Sequence, residues 1–237
     1  MAKRHPTSRR RPDQKRRDEE AEDLFVAKVY EASTWARHNR TILVILGVVL
    51  AVAGFGVYSW TEYRARLEEQ AVLQLEQIQQ TLSVGDPETA KAELNQYLSR
   101  FDGTPYAAEA RMLLADLYLR SEQSQQAIDV LDASNVRLSE PIGPQIETLK
   151  AKAYEAAGRL DQAEDLYLRV ADRAELQFQA IDALSDAARI REAQGDWSGA
   201  ATLYERILDE LGESGPDVGP YRMRLAEART AAGGSSE

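Results

Sequence analysis

The side chains that most often perform catalysis are scarce in this chain. Its 237 residues include no cysteine and only two histidines, His5 and His38. Everything after residue 38 therefore lacks the commonest general base and the commonest zinc ligands. A disulfide framework, a thiolate nucleophile and a cysteine metal site are all excluded, because each of them needs cysteine.

Carboxylates are the remaining candidates for acid and base chemistry. Asp161 and Asp165 stand four residues apart, a spacing that places both groups on one face of a helix. A chain of net charge −10 also produces such pairs by number alone, and we prefer this interpretation. Gly195 and Gly199 lack the Gly-Lys-Ser/Thr ending of a phosphate-binding loop. We therefore expect no enzyme activity, no cofactor, no metal site and no small-molecule substrate.

The strongest pattern in the chain is an internal repeat. Each unit has an alanine five residues after a turn position, and these alanines, 37, 36 and 37 residues apart, are Ala90, Ala127, Ala163 and Ala200. A large residue follows each alanine four positions later: Leu94, Leu131, Tyr167 and Tyr204. A small residue one helical turn before a large one suits two helices that cross closely, because alanine lets the backbones approach. The period predicts stacked helix-turn-helix units.

The first helix of the unit is marked by a small residue and a tyrosine three positions later, as in Ala115 with Tyr118 and Ala151 with Tyr154. Together these positions resemble the tetratricopeptide repeat (TPR), a helix-turn-helix module, over about residues 71–212. The chain departs from that family where Thr81 and Arg191 replace the tyrosine and in its period, which exceeds 34 residues. The resemblance implies an all-α solenoid of about four repeats.

Glycine and proline mark where the helices of this solenoid begin and end. Asp86 and Pro87 have the residue types of an N-cap and a first helical position. The breaks at 102–105 and 139–144 are expected to hold the residues that lengthen the period. A third break, at 212–220, precedes a short helix over 221–232, in which Met223 and Leu225 are available to cover the last repeat.

In the TPR family the first helix of each repeat lines a concave groove that holds an extended peptide or a partner helix. The resemblance therefore implies protein partners and assigns nine residues to this groove: Met112, Asp116, Arg120, Thr148, Lys152, Glu155, Ser185, Arg189 and Glu192. Lys152 and Arg189 occupy equivalent positions and could face an acidic segment or a C-terminal carboxylate. Alternatively, each pairs with the glutamate three residues on. The Lys/Asn clamp of chaperone-binding members is not reproduced.

Residues Thr41–Trp60 carry no charge over twenty positions, which is enough for a helix to cross the roughly 30 Å hydrocarbon core of a bilayer. We predict one transmembrane helix, with Tyr58, Trp60 and Tyr63 as an aromatic belt at its outer end. A cleaved signal peptide is the alternative, because Ala51 and Ala53 form a small-x-small site. The forty preceding residues and the apolar run that continues past this site favour an uncleaved anchor.

The charges on the two sides of this stretch differ in sign. Residues 1–40 carry 11 Lys and Arg against 7 Asp and Glu, whereas residues 61–237 carry 18 against 32. Basic flanks stay on the cytoplasmic side of a membrane, so Arg37 and Arg40 predict a cytoplasmic N-terminus and an extracytoplasmic repeat domain. In a bacterium this domain would lie in the periplasm or on the outer face.

We divide the chain into five segments on this basis. Residues 1–20 are predicted to form a disordered basic cytoplasmic tail, for which a solvated topology signal is preferred to RNA or headgroup binding. Residues 21–40 have the apolar spacing of an amphipathic juxtamembrane helix, which contacts either lipid or another membrane protein. The transmembrane helix occupies 41–60, the solenoid with its capping helix 61–232, and a flexible tail 233–237. No specific nucleic-acid binding is expected.

This layout also resembles that of the bacterial ancillary SecYEG translocon subunit and of periplasmic TPR coordinator proteins. It implies a non-enzymatic scaffold or chaperone-like adaptor in the bacterial inner membrane, whose partners are the translocon, secreted clients or other envelope proteins. A scaffold for cell division or outer-membrane assembly is the alternative.

Overall fold

The chain is helical throughout the part that the structure describes. The structure is a computed structural model and describes residues 28, 30–31, 35–84, 86–212 and 218–234. The predictions for residues 1–20, for most of 21–40, for Gly85 and for 235–237 lie outside these residues. The described ranges contain helices and their connections and no strand, which confirms the predicted all-α fold.

The helices of the described ranges follow one another with short connections. In chain order they are α1 (Arg40–Val84), α2 (Pro87–Phe101), α3 (Ala107–Arg120), α4 (Ser124–Asp132), α5 (Gly143–Ala156), α6 (Leu160–Arg173), α7 (Gln177–Gln194), α8 (Trp197–Leu211) and α9 (Val218–Gly234). Asp86 caps α2 as predicted, because its carboxylate accepts a hydrogen bond from the backbone N–H of Glu88 at 3.3 Å.

The chain divides into two compact units, residues 1–64 and 65–237. In the described part of the first unit, large apolar side chains of α1 such as Val44, Val48 and Phe55 are more than half exposed. Judged by length and composition, α1 is the one helix of the described residues that could cross a membrane. The most apolar part of α1 has no buried residue, unlike the core helix of a globular domain.

The second unit consists of four helical hairpins and a final helix. The first helices of the hairpins are the last part of α1, α3, α5 and α7, and the second helices are α2, α4, α6 and α8. From α2 onward each helix packs on the next, and α3 also contacts α5 directly. The repeat alanines are fully or almost fully buried, and so are the large residues one turn later. The predicted small-then-large pattern therefore marks the surfaces where the helices cross.

Two tyrosines connect the core of one repeat to that of the next. The buried side chains form three clusters, which lie around α1–α3, around α3–α5 and around α6–α9. Tyr118 packs against both the first and the second cluster, and Tyr154 packs against both the second and the third. The family's first-helix aromatic thus lies at the junctions between repeats.

The hairpin turns have the same backbone conformation in three repeats. Gly158 and Gly195 have φ angles of 72° and 80°, in the left-handed region that glycine adopts without strain. Glu122 occupies the equivalent turn of the second repeat and has a φ of 60° despite its side chain. This agreement confirms the alignment of these turn positions.

The connection between α4 and α5 is the longest described one, at residues 133–142. It folds back on the start of α5, where a Cβ at Gly143 would overlap the carbonyl oxygen of Arg137. The predicted break over 139–144 ends earlier than expected, because Gly143 and Pro144 already belong to the first turn of α5. Part of the additional repeat length therefore lies in this connection, as predicted.

The last helix covers the end of the fourth repeat. Helix α9 packs on α8 and buries Leu225 and Ala228 in the third cluster. Met223 is 61% exposed, so the prediction that it helps to cover the repeat is wrong. Residues 223 and 225 are about 200° apart around a helix, and both cannot face the same neighbour.

The turn conformations predict opposite effects of substitution at equivalent positions. Gly158→Ala and Gly195→Ala should each lower the free energy of unfolding by about 1 kcal/mol, because alanine is strained at positive φ. Glu122→Gly should raise it by up to about 1 kcal/mol by relieving that strain. The shift in the urea midpoint of the purified chain, followed by circular dichroism, measures each effect. Gly103→Ala is the control, since Gly103 has no positive φ and an open surrounding. Equal midpoints for Gly195→Ala and Gly103→Ala would contradict the prediction.

Candidate protein-binding groove

The first helices of three successive repeats enclose a concave surface. Helices α3, α5 and α7 line an open concavity of about 320 Å³. Its principal side chains are Met112, Thr148, Leu149, Lys152, Phe178 and Asp182. We call this surface the concave groove. It has an apolar floor with one cation and one anion, which is the composition expected of a peptide-binding site.

Three of the nine residues assigned from the family resemblance lie in the concave groove. They are Met112 of α3 and Thr148 and Lys152 of α5. Asp116 and Arg120 form an ion pair with each other at 2.7 Å and line a separate concavity of about 310 Å³ beside Leu82. The remaining four residues do not line the concave groove.

Arg189 and Glu155, two of these four, hold neighbouring repeats together. The Arg189 guanidinium on α7 donates to the Glu155 carboxylate on α5, with Nη2 and Oε2 2.9 Å apart. A second guanidinium bond reaches Asp186 at 3.0 Å, and the Tyr167 hydroxyl lies 3.4 Å from Glu155. Arg189 thus pairs with the preceding repeat, and the alternative that it pairs with Glu192 is wrong.

The same arrangement recurs one repeat later around Glu192. The Tyr204 hydroxyl donates to the Glu192 carboxylate at 3.0 Å, just as Tyr167 approaches Glu155. Arg224 of α9 lies 3.9 Å from Glu192 and occupies the place that Arg189 has beside Glu155. Each glutamate therefore contacts a tyrosine of its own repeat and an arginine two helices further along the chain. This repetition indicates a structural role for both glutamates.

Burial and hydrogen bonding shift the pKa values of these groups away from neutral pH. The hydrogen bonds from Arg189 lower the pKa of Glu155, although burial acts in the opposite direction. Burial, together with the bond to Glu192, raises the pKa of Tyr204 to about 12. Glu155 and Arg189 are consequently charged at neutral pH, while Tyr204 is neutral. The network is suited to holding helices together.

Lys152 differs from Arg189 although both occupy the same position in their repeats. Its side chain is exposed and forms no ion pair or hydrogen bond with any residue that the structure describes. Lys152 and Glu155 form no ion pair within 4 Å, and Arg189 is the cation bound to that carboxylate. The charge of Lys152 still acts on Glu155 from a longer distance and contributes to lowering its pKa, after the larger effect of Arg189. Lys152 leaves an unpaired ammonium group at the concave groove, where a ligand can reach it.

Phe178 is the principal groove residue that the family resemblance missed. Its ring is 60% exposed, next to Gln179 and one turn before Asp182. The cause is the length of α7, which has 18 residues where α5 has 14 and which begins earlier in its repeat. The additional first turn carries Phe178 over α5. The sequence signal that could have identified Phe178 is a large aromatic residue two positions after Leu176, where a helix begins.

The Glu155 network predicts a specific dependence of stability on pH. A carboxylate with a lowered pKa stabilises the fold above its unfolded pKa of about 4.3, and this stabilisation is lost as pH falls below that value. Glu155→Gln should therefore lose about 1–2 kcal/mol at pH 7 and show a shallower decline on acidification. Urea unfolding at a series of pH values measures both effects. Glu205→Gln, which removes an exposed pair with Arg229, should change stability by less than about 0.5 kcal/mol. Parallel pH profiles for Glu155→Gln and the unsubstituted chain would contradict the assignment.

Comparison with known proteins agrees with the repeat geometry. Similar solved structures include TPR-like repeats described as those of a Podosopora anserina kinesin light chain (22% identity, 72% of this chain and 88% of that chain, TM-score 0.53). MamA is also similar, with 15% identity over 70% of this chain and 84% of that chain and a TM-score of 0.54. BtubC from P. vanneervenii has 18% identity over 72% of this chain and 82% of that chain and a TM-score of 0.55. At these identities the likeness shows the fold alone. No match to a curated protein was found. The family model for the tetratricopeptide repeat-like domain matches residues 33–226, and the chain belongs to this family.

Proposed function

We propose that this protein is a membrane-anchored scaffold whose concave groove binds a segment of a partner protein. A TPR-like fold is a scaffold for protein–protein interaction, and protein partners follow from it in general. The observation that carries the assignment to this groove is the convergence of α3, α5 and α7 around an exposed Phe178 and an unpaired Lys152. No enzymatic role is proposed.

The chemistry of the concave groove favours an extended peptide with an apolar side chain next to a carboxylate. Phe178, Leu149 and Met112 offer apolar contact area, which supplies most of the binding free energy at such sites. Lys152 can pair with the carboxylate of an acidic residue or of a chain end. Asp182 lies at the same surface and disfavours a second acidic residue beside the first.

The anchor in this proposal is the apolar part of α1. Its exposed Val, Ile, Leu and Phe side chains would be unfavourable in water, and their transfer to a bilayer contributes roughly 25 cal/mol per Å² of apolar surface. At the end of this stretch the guanidinium of Arg64 lies over the Trp60 ring, 5.3 Å from its centroid, as suits an interface residue. Arg37 and Arg40 support a cytoplasmic N-terminus and an extracytoplasmic repeat domain.

We place this scaffold in the bacterial inner membrane, close to the Sec translocon, as a chaperone-like adaptor for secreted clients. The basic segment, single span and outer TPR domain support this placement by their resemblance to the ancillary SecYEG subunit. A scaffold for cell division or outer-membrane assembly is the second candidate, because periplasmic coordinator proteins use the same repeats. The identity of the bound partner separates the two.

Photo-crosslinking from the concave groove tests the partner assignment. A photoreactive residue at position 178 of the full-length chain should yield protein adducts in isolated membranes. One at position 223 should not, although Met223 is equally exposed on α9. Lys152→Glu should lower the yield from position 178 at least about tenfold, by removing an ion pair and introducing repulsion. Equal yields from 178 and 223 would contradict the groove. Adducts that never include translocon subunits would favour the second candidate.

Cysteine labelling tests the proposed topology, and the absence of native cysteine makes it selective. In intact spheroplasts, a membrane-impermeant maleimide should label Gln125→Cys on the exposed surface of α4. It should label Ser8→Cys only after the membrane is permeabilised. The reverse pattern would overturn the orientation, and labelling of both sites in intact spheroplasts would overturn the proposal of a span between them.

A further inference from the structure

A second concavity adjoins the concave groove at the starts of α5 and α7. It has a volume of about 180 Å³ and lies where the α4–α5 connection meets the α6–α7 connection. Pro144 and Gln179 line both concavities, so a ligand in one can continue into the other. The apolar side chains of the second concavity are those of Leu138, Pro141, Pro144 and Leu176. We call this second concavity the rim pocket.

Exposed apolar surface in the repeats is concentrated at these two concavities. Among the large hydrophobic side chains whose exposure the structure describes after residue 73, three are exposed, namely Leu176, Phe178 and Met223. Leu176 lines the rim pocket and is 52% exposed, and Phe178 lines the concave groove. The repeats cover their other large apolar side chains at least in part. Two exposed neighbours at adjoining concavities are therefore typical of a docking site.

The backbone at the start of α7 sets the spacing of these two side chains. Leu176 is the N-cap of α7 and has an extended backbone, with φ −100° and ψ 120°. The intervening Gln177 is directed to α8 instead, since its side-chain amide donates to the backbone carbonyl of Glu210. The Cα atoms of Leu176 and Phe178 are at most about 7 Å apart, because the two residues are two positions apart in the chain.

The charges at the rim pocket give it no preference for a charged ligand. Arg173, Glu140 and Glu175 line its edge. Arg137 binds Glu140, with Nε and Oε1 3.0 Å apart, which leaves one cation and one carboxylate at the edge. Lys152 at the concave groove is therefore the group that selects a carboxylate, and the rim pocket selects by apolar contact.

We propose that the rim pocket holds a second apolar side chain of the peptide that occupies the concave groove. The rim pocket acts in this way only if the concave groove holds that peptide, so the assignment rests on the proposed function. In an extended chain, alternate side chains lie on one side and about 7 Å apart, which matches the spacing of Leu176 and Phe178. Lys152 lies eight positions after Pro144 on α5, about 12 Å along the helix. The preferred segment therefore has two apolar residues separated by one other residue, with a carboxylate on the Lys152 side of the pair.

Photo-crosslinking of the full-length chain from both concavities in isolated membranes tests this arrangement. Photoreactive residues at positions 139 and 178 should give adducts with the same partner protein, and position 139 is exposed at the rim pocket. The two attached residues of the partner should lie within about four positions of each other. Adducts from 178 without adducts from 139, or attached residues far apart in the partner, would overturn the rim pocket and leave the concave groove in place. Adducts from 139 alone, or from neither position, would overturn both proposals.

Leu176→Ser separates the rim pocket from the concave groove. Serine is a preferred N-cap residue, so this change removes apolar contact without weakening the start of α7. It should lower the crosslinking yield from position 178 about fivefold, measured at a dilution in detergent where the unsubstituted chain gives half its maximal yield. Met223→Ser removes an equally exposed side chain from α9 and should leave the yield unchanged. An unchanged yield with Leu176→Ser would overturn the rim pocket, while a loss of yield with Lys152→Glu in the same assay would keep the concave groove. Circular dichroism verifies the fold of each variant.

Discussion

The close approach of helices at the buried alanines is the constraint on which the rest of the structure depends. Ala90, Ala127, Ala163 and Ala200 are almost completely removed from solvent, and each is followed by a buried large side chain one turn later. In an interior packed as densely as an organic crystal, a larger residue at these points would push the second helix of a repeat away from the first. That displacement would pass to every later first helix, because each repeat packs mainly on its neighbours. The spacing of α3, α5 and α7, and with it the width of the concave groove, therefore rests most directly on the methyl groups of Ala127 and Ala163, which lie on the helices between them.

Neighbouring repeats are joined by apolar packing of tyrosines at some junctions and by an arginine ion pair at another. Tyr118 and Tyr154 join successive clusters by apolar packing. The fourth repeat has Arg191 at this position, where its guanidinium donates to Glu164 of α6 at 2.6 Å. An arginine stem can cover apolar surface while its head forms the ion pair, which explains how the fold tolerates this departure from the family pattern. The Glu155–Arg189 ion pair joins α7 to α5 as well, so the third and fourth repeats are connected by two ion pairs in addition to their apolar packing.

Periodicity predicted the helices and their buried faces far better than it predicted the surface. Spacing specifies which side of a helix meets its neighbour, so the repeat alanines, the turn positions and the Asp86 cap could be identified from sequence. It does not specify where a helix begins. The early start of α7 put Phe178 in the concave groove, whereas Ser185 and Arg189, later in the same helix, do not line it. Nor does spacing specify which carboxylate a cation will reach: Arg189 binds Glu155, 34 positions away, because helix packing brings the two together.

The cations of the repeat domain are used largely inside the fold, and this determines how the concave groove can recognise a ligand. Lys150, Arg169 and Arg206 bridge neighbouring helices through Asp132, Glu147 and Asp172. Because most of its positive charges are neutralised in this way, the domain has a negative electrostatic potential toward an approaching chain. At physiological ionic strength the Debye length is about 8 Å, so this field is weak at a distance and acts mainly on contact. An acidic ligand would then meet a weak long-range repulsion, and its selection would depend on the contact itself. Lys152 and Phe178 line the same groove, so in the proposed binding mode they contact one ligand together, and the fit of a short peptide segment matters more than the overall charge of its protein.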